Sequence, residues 1–170
     1  INGTKLWISG ADRAQFGLVF ARTDSEKGRN GVTCFIVDTD TPGFHVRRIV
    51  HTLRSAHCAT ELQFEDMRIS GENILGEVNK GFAIANDRLT SQRIPYAAGC
   101  IGVAIKAQEM ALDYVPQRET FGAALSTRQS IQWMLVDNEL DIIQSLWIIL
   151  DADDKAERRE NYRKEAAMAK

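Results

Sequence analysis

Up to about residue 69 the apolar positions come in short runs, and beyond residue 80 they recur at helical spacing. The early runs are Lys5 to Ser9, Phe16 to Arg22, Thr33 to Asp38, Phe44 to Ile49 and Glu61 to Ile69, rich in β-branched and aromatic residues and separated by turns with Gly, Asp, Asn or Pro. They predict strands. No dozen-residue helical pattern falls between them, so the sheet is expected to be antiparallel, either open or closed into a small barrel. Asn30-Gly31 and Pro42-Gly43 are the clearest turn dipeptides, and the second suits a type II turn. Ser70 to Asn79 is polar and reads as a linker.

From Lys80 the period changes. Phe82, Ala85, Leu89, Tyr96, Val103, Ala107 and Tyr114 form one stripe of a helix predicted from Lys80 to Val115, and Ile94, Ala98, Ile101, Ile105 and Leu112 form a second. Pro95 is expected to interrupt this helix and Pro116 to close it. A second helix, Ser126 to about Ala152, reads as apolar on two opposed faces: Ile131, Leu135, Asn138, Ile142, Leu146 and Ile149 on one, Trp133, Leu140 and Trp147 on the other. Such a helix is expected to lie between neighbours, in a bundle core or a subunit interface. Asp151 to Arg163 reads as a charge-rich turn, and Arg163 to Lys170 as the start of a third helix. The fold class expected is therefore α+β. An antiparallel β-sheet or barrel domain (1–69) is followed by a linker (70–79) and by the first helices of an up-down helical bundle, incomplete at 80–170.

One charge stands out against this pattern. At about 100° per residue, Arg93 projects between the two stripes of the long helix. A guanidinium on a buried side calls for an anion, either a carboxylate of the fold or a phosphate or carbonyl of a ligand. The overall charge is only -2, from 21 basic and 23 acidic residues. That argues against nucleic acid or an anionic membrane as the main partner, and no run reaches the roughly 18 to 20 apolar residues of a membrane-spanning helix. Cys34, Cys58 and Cys100 lack metal-ligand spacing and read as free core thiols of a reducing compartment. His45, His51 and His57 are too far apart along extended chain to share one metal. The chain opens on Ile1 and stops at Lys170 inside a helical pattern, which suggests a piece of a longer protein.

Three stretches carry candidate chemistry. Trp7-Ile8-Ser9-Gly10 joins an indole face to a small hydroxyl at a strand end, suited either to packing a planar ring and touching its polar edge or to an ordinary core tryptophan beside a turn. Arg118, between two helices and close to Thr120, can meet a phosphate or cap a helix. Arg128-Gln129 adds donors on the same side. There is no Gly-rich phosphate loop, nucleophile elbow or metal-ligand cluster.

Taken in order, Ile1-Asn2-Gly3-Thr4-Lys5-Leu6-Trp7-Ile8-Ser9, Glu61-Leu62-Gln63-Phe64-Glu65-Asp66, Asn73-Ile74-Leu75-Gly76, Gly81-Phe82, Arg93, Arg118-Glu119-Thr120-Phe121-Gly122 and Arg128-Gln129 strongly resemble the acyl-CoA dehydrogenases over essentially the whole chain. The resemblance implies the middle β domain of that family joined to the start of its C-terminal helical domain. It implies bound FAD, with Trp7, Ile8 and Ser9 along the flavin, and with Arg118, Thr120, Phe121, Arg128 and Gln129 reaching the FAD of a neighbouring subunit in a homodimer or homotetramer. Thr90, Gln92 and Arg93 would border an acyl-CoA thioester. The implied reaction is α,β-dehydrogenation, with electrons passing on to an electron-transfer flavoprotein or similar acceptor. The catalytic base is not expected in this chain. In most relatives it is a glutamate beyond the position of Lys170, and in a minority it sits where this chain has Gln92, which has no titrating carboxylate. Alternatives are an acyl-CoA oxidase or flavin monooxygenase of the same fold, or a non-catalytic homologue serving subunit assembly. The expected location is the bacterial cytoplasm or the mitochondrial matrix. Leu89 and Tyr96 are expected to pack the core, although they could instead limit acyl length.

Overall fold

The computed structural model describes residues 1–51 and 59–170, so the expectations for His57 and Cys58 lie outside the described residues. By its contacts the chain divides into two compact units, Ile1–Asn86 and Asp87–Lys170.

The first unit is built on five strands, β1 (Gly3–Ser9), β2 (Phe16–Arg22), β3 (Val32–Asp38), β4 (Phe44–Val50) and β5 (Ala59–Phe64), joined by a two-residue β6 (Ile74–Leu75). All pairings are antiparallel. One sheet has the order β1-β5-β4 and the other β2-β3-β6, with no closed barrel among the described residues. Val19, Val37, Leu62, Phe64 and Met67 are buried together, so the two sheets share one apolar core. Phe44 and Phe64 meet edge to face inside it, with ring centroids 5.4 Å apart. The expected type II turn is present. Pro42 and Gly43 are its central residues, Gly43 has φ 90°, and the Phe44 amide donates to the Thr41 carbonyl at 2.9 Å. β5 stops at Phe64, short of the expected Ile69, because Asp66 turns the chain with φ 46°.

Residues 70–79 do more than link. Ile74 and Leu75 pair with Phe35 and Cys34 of β3, and Asn79, at φ 66°, donates its amide to the fully buried Thr33 hydroxyl at 2.8 Å. Thr23 completes this polar cluster through the Thr33 and Asn79 side chains, at 2.7 and 2.6 Å. The chain then enters α1 (Gly81–Ser91) at the one residue that fits. A Cβ at Gly81 would lie 2.6 Å from the Cys34 amide nitrogen, so the backbone can approach β3 only as glycine.

The second unit packs α2 (Arg93–Tyr114) against α3 (Gln129–Glu157) and α4 (Arg163–Ala169). The long helix is divided at Gln92, three residues before Pro95. The proline ring has no N–H to offer the Ser91 carbonyl and crowds it, so the division falls one turn earlier than the proline itself. Placed third in α2, Pro95 costs little, since first-turn amides have no partner inside the helix.

The buried face of α2 differs from both expected stripes. It runs through Ile94, Ala97, Ile101, Ala104, Gln108, Ala111 and Val115, alternating steps of three and four. Leu89 and Tyr96, expected in the core, are each 63% exposed. Small residues let the helices approach closely, and Gln108 is buried with its amide donating to the Leu135 carbonyl at 2.8 Å. On α3 the inner face includes Ile149 and the fully buried Ala152, while Trp133 and Trp147 on the opposite face are 61% and 67% exposed. Among the described residues only one of the two apolar faces is covered. The helix also runs on to Glu157, through the stretch expected to turn. Lys155 pairs with Asp151 at 3.1 Å and Arg158 with Asp154 at 2.8 Å, both four residues apart, which favours continued helix over a loop.

Candidate functional site

In the first unit the expected flavin-side stretch lies on the edge strand β1 and is distorted in an informative way. Lys5 pairs with Leu62 and Ile8 with Thr60, so Leu6 and Trp7 together face the single residue Glu61. This is a β-bulge, a device that re-aims a side chain. Trp7 sits in it at φ 65°, a left-handed conformation that a bulky residue adopts only under constraint, and its indole is 60% exposed. Such strain costs on the order of 1–3 kcal/mol and gathers at functional sites. The core-tryptophan alternative is therefore not what the structure shows. The next residues are fixed from below, where the buried Thr60 hydroxyl donates to the Ile8 carbonyl at 2.8 Å. Ser9 presents its hydroxyl on an exposed strand end.

Glu61 also faces a second irregularity, on β4. An extra residue there, Arg47, puts consecutive arginines within reach of one carboxylate, Arg48 at 2.5 Å and Arg47 at 3.4 Å. The Arg48 hydrogen bond, followed by the charges of Arg48 and Arg47, holds the Glu61 carboxyl below the usual carboxylate range. Neither the bulges nor the Thr60 anchor was visible in the sequence, where the strand was expected to begin only at Glu61.

In the second unit the Arg118–Gln129 segment forms a compact connection between α2 and α3. Glu119 pairs with Ala124 and Thr120 with Ala123, making strands β7 (Glu119–Thr120) and β8 (Ala123–Ala124) of a two-residue hairpin. Phe121 has φ 51° and Gly122 φ 76°, the two positive values of a type I′ turn. Glycine suits that turn; phenylalanine does not. Phe121 is nonetheless at the tip, fully exposed. The Leu125 amide donates to the Arg118 carbonyl at 2.7 Å, and the Ser126 amide to the Val115 carbonyl at 3.0 Å, which ties the base of the hairpin to the end of α2. Arg118 is exposed and makes no ion pair among the described residues. Gln129 opens α3, exposed. Arg128 turns the other way, donating from Nε to the Thr120 hydroxyl at 3.0 Å and from Nη2 to the Thr120 carbonyl, with its guanidinium 5.5 Å from the Phe121 ring centroid.

The third group also lies in the second unit. Thr90 is buried, Gln92 is exposed, and Arg93 is half-buried at the first position of α2. Arg93 lines an open pocket with Leu89, Gln92, Pro95, Tyr96 and a second cation, Lys170, and among the described residues it has no ion pair. A cation at the positive end of a helix is unfavourably placed and calls for an anion; Glu165 lines a second pocket with Arg93, so the carboxylate and the ligand alternatives both stand. Cys34 is fully buried, and that burial pushes its thiol pKa up. Cys100 is exposed, contrary to the expectation of a core thiol. Among the described residues there is no group of side chains placed to hold a metal, and no helix is long and apolar enough to cross a membrane.

Set beside known proteins, residues 1–67 match the acyl-CoA dehydrogenase middle domain and residues 79–170 the acyl-CoA dehydrogenase C-terminal domain. An acryloyl-CoA reductase (NADH) from Anaerotignum propionicum is 36% identical over all of this chain and 43% of its own length. The solved structure of butyryl-CoA dehydrogenase from Megasphaera elsdenii superimposes with a TM-score of 0.92 at 36% identity, covering 99% of this chain and 44% of that one. The FAD complex of PigA superimposes with a TM-score of 0.94 at 26% identity, covering 99% and 44%. The chain thus spans less than half the length of the relatives it matches. With an antiparallel β unit followed by a helical unit, and with both matched domains in the family's order, the chain belongs to the acyl-CoA dehydrogenase family.

Proposed function

We propose that this chain is the flavin-bearing part of an FAD-dependent acyl-CoA dehydrogenase acting on short acyl-CoA thioesters. The observation that carries the reading is Trp7, an exposed aromatic residue on strained backbone at φ 65°, held out on a bulge beside the exposed Ser9. A planar, hydrogen-bonding ring system suits that surface, and the donor set of the second unit, Arg118 with Thr120, suits a pyrophosphate. FAD combines the two in one molecule. In this reading Trp7 and Ile8 pack against the flavin, Ser9 donates to its polar edge, and Arg118, Thr120, Phe121 and Gln129 serve the FAD of a neighbouring subunit. A bound flavin would serve as the two-electron acceptor for a hydride from the β-carbon.

The remaining work falls to side chains. Proton removal from the α-carbon needs a carboxylate, and Gln92 provides none, so we assign that step to a residue outside these 170. Arg93, a cation lacking an ion pair at a pocket, stabilises negative charge developing on the thioester, which counts for more when water is excluded. Thr90, Gln92 and Arg93 border the acyl-CoA. The short-chain assignment rests on the butyryl-CoA and acryloyl-CoA relatives. One of these is named a reductase, and the same atoms serve hydrogen transfer in either direction. The electron partner is an electron-transfer flavoprotein or a similar acceptor, the protein is a homodimer or homotetramer, and it resides in the bacterial cytoplasm or the mitochondrial matrix.

The test is flavin binding by the protein that carries this chain. Wild type should purify with FAD and show the oxidised-flavin spectrum, while Trp7→Ala should weaken FAD binding about tenfold, the equivalent of about 1.4 kcal/mol. Equal affinity in the two proteins would remove Trp7 from the site.

A further inference from the structure

Arg128 differs from the exposed Arg118 and Gln129 in that its guanidinium is engaged by the hairpin of this chain. Its Nε donates to the Thr120 hydroxyl at 3.0 Å and its Nη2 to the Thr120 carbonyl, so one guanidinium grips both oxygens of a single residue. The same group stands 5.5 Å from the centroid of Phe121, the residue whose φ of 51° is hardest to maintain in the turn. Thr120 is half-buried, and its partner on the other strand, Ala123, contributes only backbone. Arg128 adds a side-chain grip to a pair of two-residue strands otherwise held by backbone hydrogen bonds, and to a phenylalanine in a left-handed conformation.

We propose that Arg128 is a positioning residue that locks the hairpin 119–124 and presents the Thr120 hydroxyl as a hydrogen-bond donor toward a dinucleotide phosphate; this rests on the FAD reading above. The chemistry follows from the contacts. A hydroxyl oxygen that accepts from a cation has its own proton free and polarised outward, which matches an anionic acceptor rather than a donor. Arg118, exposed on the same hairpin, supplies the opposing charge. Arg128 therefore acts through Thr120, and its geometry does more than its charge.

That distinction is testable in the full-length protein carrying this chain, by hydrogen exchange of the hairpin amides without flavin and by the FAD dissociation constant. Arg128→Lys keeps the charge but loses the two-pronged grip. Arg128→Leu loses both. Thr120→Val removes the hydroxyl with little change of shape, and Thr120→Ser keeps it. We expect both Arg128 variants to speed exchange at Leu125 and across 119–124, and to weaken FAD binding about tenfold or more, as expected for losing charge-assisted hydrogen bonds. Thr120→Ser should bind like wild type. Combining Thr120→Val with Arg128→Leu should weaken FAD little more than either alone. Full affinity in Arg128→Lys with loss only in Arg128→Leu would mean a direct charge contact and would overturn the proposal, as would unchanged exchange in both. Wild type that binds no FAD would refute the flavin reading, and the exchange data would still decide whether the grip exists.

Discussion

Among the non-glycine residues held at positive φ, Trp7 and Phe121 each carry an exposed aromatic ring. Trp7 at φ 65° and Phe121 at φ 51° are each stabilised by neighbours, Trp7 by the bulge opposite Glu61 and Phe121 by Gly122 and Arg128. A structure selected for stability alone would carry asparagine or glycine at the first turn position of the 121–122 hairpin. Phe121→Asn is thus expected to raise stability by about 1 kcal/mol in urea unfolding, since a left-handed non-glycine residue costs about that much. A loss of stability would show that the ring packs on this chain. Gly81→Ala should act in the opposite direction, because its Cβ would lie 2.6 Å from the Cys34 nitrogen; the backbone shift should cost about 1–3 kcal/mol, read in the same experiment. Sequence reasoning found Trp7, Ser9, Arg118 and Thr120 as candidates from residue type and order. It could not find the bulge, because β1 pairs with a strand more than fifty residues away, and pairing register is not written in local spacing.

At the scale of elements, the strands were legible and the helix faces less so. Short β-branched runs with Gly and Pro between them identify strands directly, whereas the long helix offers apolar residues around much of its circumference. The buried stripe of α2 uses Ala97, Ala104, Ala111 and Gln108, which carry little hydrophobic signal, and the larger Leu89, Tyr96 and Val103 stay exposed. Gln108 is the polar pin of that interface. Its amide donates to the Leu135 carbonyl and its oxygen accepts from Asn138 at 3.4 Å, so Gln108→Ala should cost about 1–3 kcal/mol, measured by thermal or urea unfolding. The α3–α4 contact adds a pH dependence. Lys155 bridges to Glu165 at 2.8 Å; the hydrogen bond from Lys155 lowers the Glu165 pKa below its ordinary 4.5 and raises that of Lys155 above its ordinary 10.5. The contribution of Glu165 is therefore present above about pH 4.5 and lost as pH falls through its lower folded value, while that of Lys155 is lost as pH rises beyond about 10.5. Glu165→Gln should flatten part of the acid limb of the melting profile, and an unaltered limb would show the bridge to be inert.

For the molecule as a whole, the two opposed apolar faces of α3 matter most. Ile149 and Ala152 are covered by this chain, but Trp133, Leu140 and Trp147 are not, and an uncovered apolar stripe of this kind usually marks an interface. The chain produced alone should bind a hydrophobic dye, and Trp133→Glu with Trp147→Glu should reduce that binding while changing unfolding free energy by no more than about 0.5 kcal/mol. Dye binding that persists unchanged would place the exposed surface elsewhere. The resemblance of ordered motifs gave the family from sequence, and both matched domains agree with it. The chain spans less than half the length of the relatives it matches, and the most direct test of the proposed function is an anaerobic titration of the protein carrying it with acyl-CoA thioesters of increasing length, followed in the visible spectrum. Stepwise bleaching of the oxidised-flavin band by a short-chain thioester such as butyryl-CoA is the predicted result. A bound flavin that no thioester bleaches would contradict the account.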